Sequence, residues 1–503
     1  VDLKPIFKKY TDLRSVNIVF VVLWVPFLAI YIFYSISLLK YPYEWEPGEG
    51  SKILYAQRLI EGKPVYKSNR TFPMLGNCYP PVYTIAVAPF VAVGGPYLVW
   101  GRLVSVLAIL IMCWLIYKIA RETTGSVCLG IIAICCFVFV PIISSWYSLA
   151  RMDSLCAMFI LICAYILFKY RDSAIAVIVS AVFAVLALYT KQTAMFTVGT
   201  VTLFLLFKKR FRDFFLFLSV ATVLSILFFL VLQWITGGWF YKNVFGENVH
   251  RLFFARRYTS FFGWLFSYAP VVIIFAVFGL IKKLKTRKPD IWGFYFAGGL
   301  CNALLIGANG SGYNYFFTFW SAVSIFFVEA IAHLENKIAP GWSGKKSAVR
   351  LSAISLILLL SLINFQGKKA GLIYRNSLLD FVPTEFDLKS MRQLEAYIVN
   401  STGNIFVDRV PSITLKCNKN QYYMEPAFIQ ELYFAGAWDP SYMMKMVAGK
   451  DFSAIFLMSE SLVPYQVKES IKNNYSPVTS IKIGTFEVWR DQYIIVYRPK
   501  IGE

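Results

Sequence analysis

The sequence predicts a polytopic α-helical membrane protein of about eleven transmembrane helices, followed by a C-terminal extracytoplasmic α/β domain. Three observations predict it. Of 503 residues, 58% are apolar and only 16% charged, which is more apolar mass than a soluble chain of that length can bury. The 50 basic residues, set against 28 acidic ones, fall in short clusters between apolar runs, as the loops that stay inside a membrane do. After residue 366 the apolar runs shorten to strand length and alternate with helix-like stretches. A cytosolic or secreted globular enzyme is excluded. The net charge of +22 reads as membrane orientation, so membrane lipids are expected partners and nucleic acid is not.

Taken in order, the chain opens on a basic stretch, Lys4 to Arg14, and an apolar run from about Ser15 to Leu38, long enough for a bilayer that takes about 20 residues. Lacking a small-residue cleavage site, this run reads as an anchor rather than a signal peptide. The later basic clusters are Lys118–Arg121, Lys169–Arg171, Lys208–Arg212, Lys282–Lys288 and Lys337–Arg350, with room for an out-and-back helix pair between successive ones. Parity then requires that Pro81–Gly94, preceded by Pro80 and followed by Gly95-Pro96, be interfacial or re-entrant rather than spanning. The last span runs from about Leu351 to Phe365. Residues 1–366 thus form the membrane part, with outer loops at 39–96, 144–153, 236–260 and 307–315 and a turn at Thr190–Thr193. Residues 367–503 form the outer domain, with strand-length runs at Asn404–Val407, Ala454–Leu457 and Tyr493–Tyr497 and a helix-like stretch at Phe386–Val399. With only two histidines, a histidine-built metal site or a Ser/His/Asp triad has almost no material. Seven of the nine cysteines sit inside apolar segments, and only Cys78 and Cys417 stand in polar surroundings where a bridge is conceivable.

Candidate chemistry collects on the outer face. The first loop holds Glu44, Glu46 and Glu49 within six residues, and closes on Tyr79-Pro80-Pro81; a solvated acidic loop would look the same. Arg151-Met152-Asp153 stands at the mouth of a spanning helix, where a carboxylate is costly unless solvated, paired or functional, although Asp153 would also serve as a helix N-cap. Lys191 lies where the inside-positive bias does not place a lysine, which suits an anion contact or interfacial snorkelling equally. Between Trp239 and Tyr258, basic and apolar residues alternate as in an interfacial helix, and Arg256 or Arg257 offers a guanidinium that matches phosphate geometry. Gly307 to Tyr315, with Asn309 and Asn314, is a glycine-rich turn able to line a cavity at membrane depth. It lacks the Lys-Ser/Thr ending of a nucleotide-binding loop.

Together these positions resemble the GT-C class of integral-membrane glycosyltransferases, the group that contains protein O-mannosyltransferases and lipid A aminoarabinose transferases. The likeness rests on the acidic loop ending in Glu49-Gly50, Ala56…Gly62…Pro64-Val65-Tyr66, Tyr79-Pro80-Pro81, Arg151-Met152-Asp153, Lys191 and Asn309…Asn314-Tyr315-Phe316, and covers about the first 320 residues. It implies a sugar donor carried on a polyprenyl phosphate, and essential acids in the first outer loop and at the next outer turn, matched here by Glu46 and Asp153. Many relatives have Asp where Glu46 stands, and Glu44 and Glu49 are near enough to keep the choice of base open. The mechanism expected is a single inverting displacement with a carboxylate base, Glu46, with Asp153 orienting the acceptor or sharing the task and Glu49 kept among the catalytic candidates. Lys191, Arg256 and Arg257 are expected on the departing phosphate, and Glu44, Arg151, Tyr79, Asn309, Asn314 and Tyr315 in the substrate pocket. No metal is expected to be obligatory, though a divalent cation has oxygen ligands within reach.

A flippase or secondary transporter would place charges at mid-helix and show internal repeats; the carboxylates here sit at outer helix ends. A polysaccharide polymerase or ligase shares the polyprenyl substrate, but its large outer loop would be lined by Arg and His rather than by acids. The donor sugar and the acceptor, whether lipid, glycan or protein, are open. Few disulfide candidates and a compact outer domain point to a bacterial inner membrane, with the C-terminal domain in the periplasm or at the cell exterior.

Overall fold

The computed structural model describes residues 13–247, 252–285, 290–338, 377–484 and 492–500. The last expected span, Leu351–Phe365, and His250 and Arg251 lie outside them. Among the described residues, four helices are long and apolar enough to cross a membrane: Leu98–Thr124, Met152–Lys169, Phe211–Ile235 and a unit covering Tyr313–Leu334. A 28-residue helix, Leu13–Lys40, precedes them. Shorter apolar helices at Val127–Phe139, Ala174–Leu188, Ala194–Phe207 and Ile291–Ala303 fill the spaces between. The helix Val82–Gly94 has 13 residues, which at about 1.5 Å per residue gives about 20 Å, short of a hydrocarbon core.

The ends follow from local chemistry. Thr124 is stopped by Gly125, whose φ of 71° only glycine adopts cheaply. Ser126 and Ser173 cap the next helices through the amides of Leu129 and Ala176. The amphipathic helix Ala255–Tyr268 meets Pro270–Lys285 at 95°, where Pro270 lacks the amide that would continue the first helix. Tight crossing uses small residues: a Cβ on Gly299 would stand 2.8 Å from the Phe319 amide nitrogen, so Ile291–Ala303 and Phe317–Ile338 touch backbone to backbone.

The C-terminal part is a four-stranded sheet in the order β1 (Ile405–Val407), β2 (Ala454–Met458), β4 (Gln492–Pro499), β3 (Tyr475–Ile483). β1 and β2 are parallel, and the other pairs antiparallel. The parallel pair needs a crossover, and residues 408–453 supply it with the helices Pro426–Phe434 and Ser441–Ala448. β2 is buried along its whole length, as a central strand covered on both faces must be.

This part is sewn to the first loop. Met74 donates its amide to the Tyr422 carbonyl at 2.8 Å and accepts from Met424 at 3.1 Å. The Trp438 indole donates to the Asn69 carbonyl at 2.7 Å. Met74 and Cys78 share one apolar cluster with Phe406, Tyr423, Phe428 and Trp438. Cys78 and Cys417 both carry free thiols.

Candidate active site

Where the helical part, the first loop and the C-terminal part meet, a cavity of about 470 Å³ opens. The first loop contributes Glu46, Gly48, Cys78 and Tyr79, and the second turn Trp146 and Arg151. Arg257, Phe261, Trp264 and Asn309 to Ser311 line it from later segments of the chain. Arg409 and the stretch Glu425 to Glu431 form the C-terminal wall. Three carboxylates, three guanidiniums and several aromatic rings suit a polar ligand with flat apolar faces, as a sugar phosphate has.

Glu46 reaches this cavity held by Arg151, whose Nη1 donates to its Oε2 at 2.7 Å, while the Gly48 amide donates to the same oxygen at 2.9 Å. Arg151 is held in turn by Asp153 at 3.4 Å and lies 5.6 Å from the centre of the Trp146 ring. Burial would pull the Arg151 guanidinium down, but the Glu46 and Asp153 charges outweigh it and keep it firmly protonated. Asp153 also accepts from Lys191 Nζ at 2.6 Å, and that ammonium sits 3.8 Å from the centre of the Tyr315 ring. Burial disfavours the Lys191 charge, and Asp153 more than restores it. Four charges of alternating sign, Glu46, Arg151, Asp153 and Lys191, therefore run from the cavity into the helical part. Each is compensated by its neighbours, which burial in a low dielectric demands.

The structure corrects several expected placements. Asp153, Lys191, Asn314 and Tyr315 do not line the cavity; they stand behind it, tied to it through Arg151. Glu49 lies fully enclosed against Arg102, whose Nε and Nη2 donate to its two oxygens at 2.8 and 2.7 Å. It also accepts the Trp45 and Ala150 amides at 2.9 and 2.8 Å. Burial alone would push the Glu49 carboxyl up, and the Arg102 charge and these bonds bring it below the usual carboxylate range. Its geometry is that of a loop anchor. Glu44 turns to the C-terminal part, accepting the Gly50 amide at 2.6 Å and the Ser412 amide at 3.1 Å; burial raises its carboxyl well above the ordinary value despite those amides. Arg256 is exposed and does not line the cavity. Arg257 does line it, with Nε donating to the Ile306 carbonyl at 2.9 Å and Nη2 to that of Ser311. Its segment is fixed by pairing of Phe253 with Ala308.

Among the described residues no group of three or more His, Cys, Asp or Glu converges on one point as metal ligands would. Glu44, Glu46, Glu49 and Asp153 face Arg102, Arg151, Lys191 or backbone amides. Sequence reading missed Lys52, Arg102, Arg409, Glu425 and Glu431. Arg102 could have been found, because an arginine inside a 27-residue apolar helix must have a partner. Nothing in the linear order marks Arg409, Glu425 or Glu431.

Residues 79–234 match the family model described as dolichyl-phosphate-mannose-protein mannosyltransferase, which takes in Tyr79, Arg151, Asp153 and Lys191. Among solved structures, ArnT from Cupriavidus metallidurans bound to undecaprenyl phosphate superposes with a TM-score of 0.60 at 11% identity, covering 94% of this chain and 97% of that one. The same protein in its apo state gives 0.59. The Archaeoglobus fulgidus oligosaccharyltransferase in its apo form gives 0.51 at 11% identity, covering 90% of this chain and 70% of that one. No curated protein is significantly similar in sequence. The fold is that of the GT-C glycosyltransferases, in an integral, multi-pass membrane protein.

Proposed function

We propose that the protein transfers a sugar from a polyprenyl-phosphate donor to an acceptor on the extracytoplasmic face of the membrane. The observation that carries this is the cavity itself. It presents Glu46 beside Arg151, with Arg257 in the same lining, in a chain that shares its fold with a protein solved with undecaprenyl phosphate. Glu46 is the general base, taking the proton from the acceptor hydroxyl as its oxygen attacks the anomeric carbon. Arg257, lining the cavity from the first turn of the helix Ala255–Tyr268, receives the negative charge of the leaving lipid phosphate. A phosphate leaving group needs little protonation, so one displacement with inversion completes the transfer. Asp153 and Lys191 act one layer back, holding Arg151 and through it the Glu46 carboxylate. With Arg257 supplying the positive charge, no divalent cation is required. Transfer undiminished in excess chelator is the expected result, and loss rescued by Mg²⁺ or Mn²⁺ overturns it.

The test incubates the purified full chain with a panel of polyprenyl-phosphate sugars and lipid, glycan and peptide acceptors, following release of polyprenyl phosphate by mass spectrometry. Glu46→Gln should cost about 10²–10⁴ in rate, the range of one general base. A folded Glu46→Gln variant that releases the lipid as fast as the parent defeats the assignment. If no sugar lipid is consumed but one crosses vesicle membranes, the transport reading replaces it.

A further inference from the structure

The carboxylate of Glu425 is the part of the cavity that neither the outer loops nor the mechanism accounts for. It stands just before the helix Pro426–Phe434 and lines the cavity from the C-terminal side. Its Oε1 takes the Ser51 hydroxyl at 2.5 Å and the Lys52 ammonium. Lys52 is itself 97% buried and held between the rings of Tyr55 and Tyr79, at 5.3 and 5.1 Å from their centres. On the far side of Glu425 its Cβ packs against Gly76, where an added Cβ would stand 2.7 Å away. One oxygen is thus saturated and the stem is clamped. No hydrogen bond from the described residues reaches Oε2, and the side chain keeps 13% of its exposure.

An ionised carboxylate accepts and does not donate, so a rigid carboxylate with an unused oxygen at a cavity wall is a receptor for ligand donors. The balance of charge differs between the two walls. The membrane-side wall sets Arg151 and Arg257 against one carboxylate, Glu46, and so favours a phosphate, whereas the C-terminal wall sets Glu425 and Glu431 against one guanidinium, Arg409, and does not. We infer that Glu425 binds the acceptor, accepting a hydrogen bond through Oε2 from a hydroxyl or ammonium group next to the reacting hydroxyl, and so selects acceptors with vicinal donors. This rests on the sugar-transfer reading and adds to it a contact from outside the helical part.

The experiment uses the full chain with the donor and acceptor consumed in the transfer assay. Glu425→Gln keeps the shape and the Ser51 bond, and should raise KM for the acceptor at least about tenfold while KM for the donor stays within about twofold. An acceptor analogue lacking the neighbouring donor should lose that difference between parent and variant. An unchanged acceptor KM overturns the inference. So does an equal rise in both KM values reproduced by Lys52→Gln, which would make Glu425 only a clasp. If the parent consumes no sugar lipid, the reading of function fails on its own. The geometry is then decided by Glu425→Cys: modification at position 425 by a membrane-impermeant thiosulfonate, read by peptide mass spectrometry, supports it, and absence of modification overturns it.

Discussion

Replacing Arg102 by Met removes the cation from a site where both partners of an ion pair are wholly buried. Two losses add. Glu49 is left as an uncompensated buried carboxylate, which costs about 3–5 kcal/mol. The carbonyls of Leu38, Tyr41 and Tyr43, now bonded to the Arg102 guanidinium at 2.7, 2.5 and 2.7 Å, lose their donor, adding about 1 kcal/mol or more even with partial rehydration. A destabilisation of at least about 4 kcal/mol is expected, large against ordinary single substitutions. Glu49→Gln should cost about 3 kcal/mol by stranding the Arg102 charge. The double variant should then be more stable than the two single losses predict, by about 2 kcal/mol, because neither charge remains alone. Denaturant-driven unfolding in mixed micelles measures all four proteins. Additive losses, or a stable Glu49→Gln protein that has lost only transfer, would refute the anchor role and return Glu49 to the chemistry.

Other outcomes follow from the same geometry. Gly48→Ala places a methyl group against Arg151 Nη1 and 3.0 Å from Glu46 Oε2; transfer should fall at least about tenfold with little change in unfolding, since one displaced catalytic group is enough for that. Asp153→Asn strands Lys191 and leaves Arg151 with Glu46 as its counter-charge, so it should lower stability by about 3 kcal/mol as well as activity, whereas a change in activity alone would put Asp153 in contact with substrate. In the C-terminal part, burial pushes the Asp408 carboxyl up to about 6 from 3.8. The sign follows: the folded form holds this proton more tightly, so the contribution is complete below pH 3.8 and is lost as pH rises through about 6. That is worth about 3 kcal/mol between the limits, and Asp408→Asn should flatten the stability profile there. An unchanged slope between pH 4 and 6 would show the group to be solvated.

How far the linear order carries is clear from particular residues. Apolar runs at Leu98–Thr124 and Phe211–Ile235 are helices of that length because nothing in them breaks an i to i−4 ladder and lipid forces every backbone group to pair within its own segment. The strand-length runs near 405, 454 and 493 are strands, paired in a sheet whose order no local pattern encodes. Tyr79, Glu46, Arg151 and Arg257, which line the cavity, are among the residues the linear order singles out, because polar groups beside apolar runs are expensive unless solvated or paired. What separates Glu46 from Glu44 and Glu49 is not legible at all, since three carboxylates within six residues have the same chemistry until each finds a partner.

By itself, then, the sequence determined the apolar helices and the short set of acids and cations from which a site can be built, since these depend on composition and local period. Only the tertiary structure decided which acid faces the cavity, by spending Glu49 on Arg102 and Glu44 on the Ser412 amide, and which residues from 300 positions away close it. Burial makes that decision: a charge taken out of water is committed to its nearest opposite charge, and nearness in space is what a linear order does not contain.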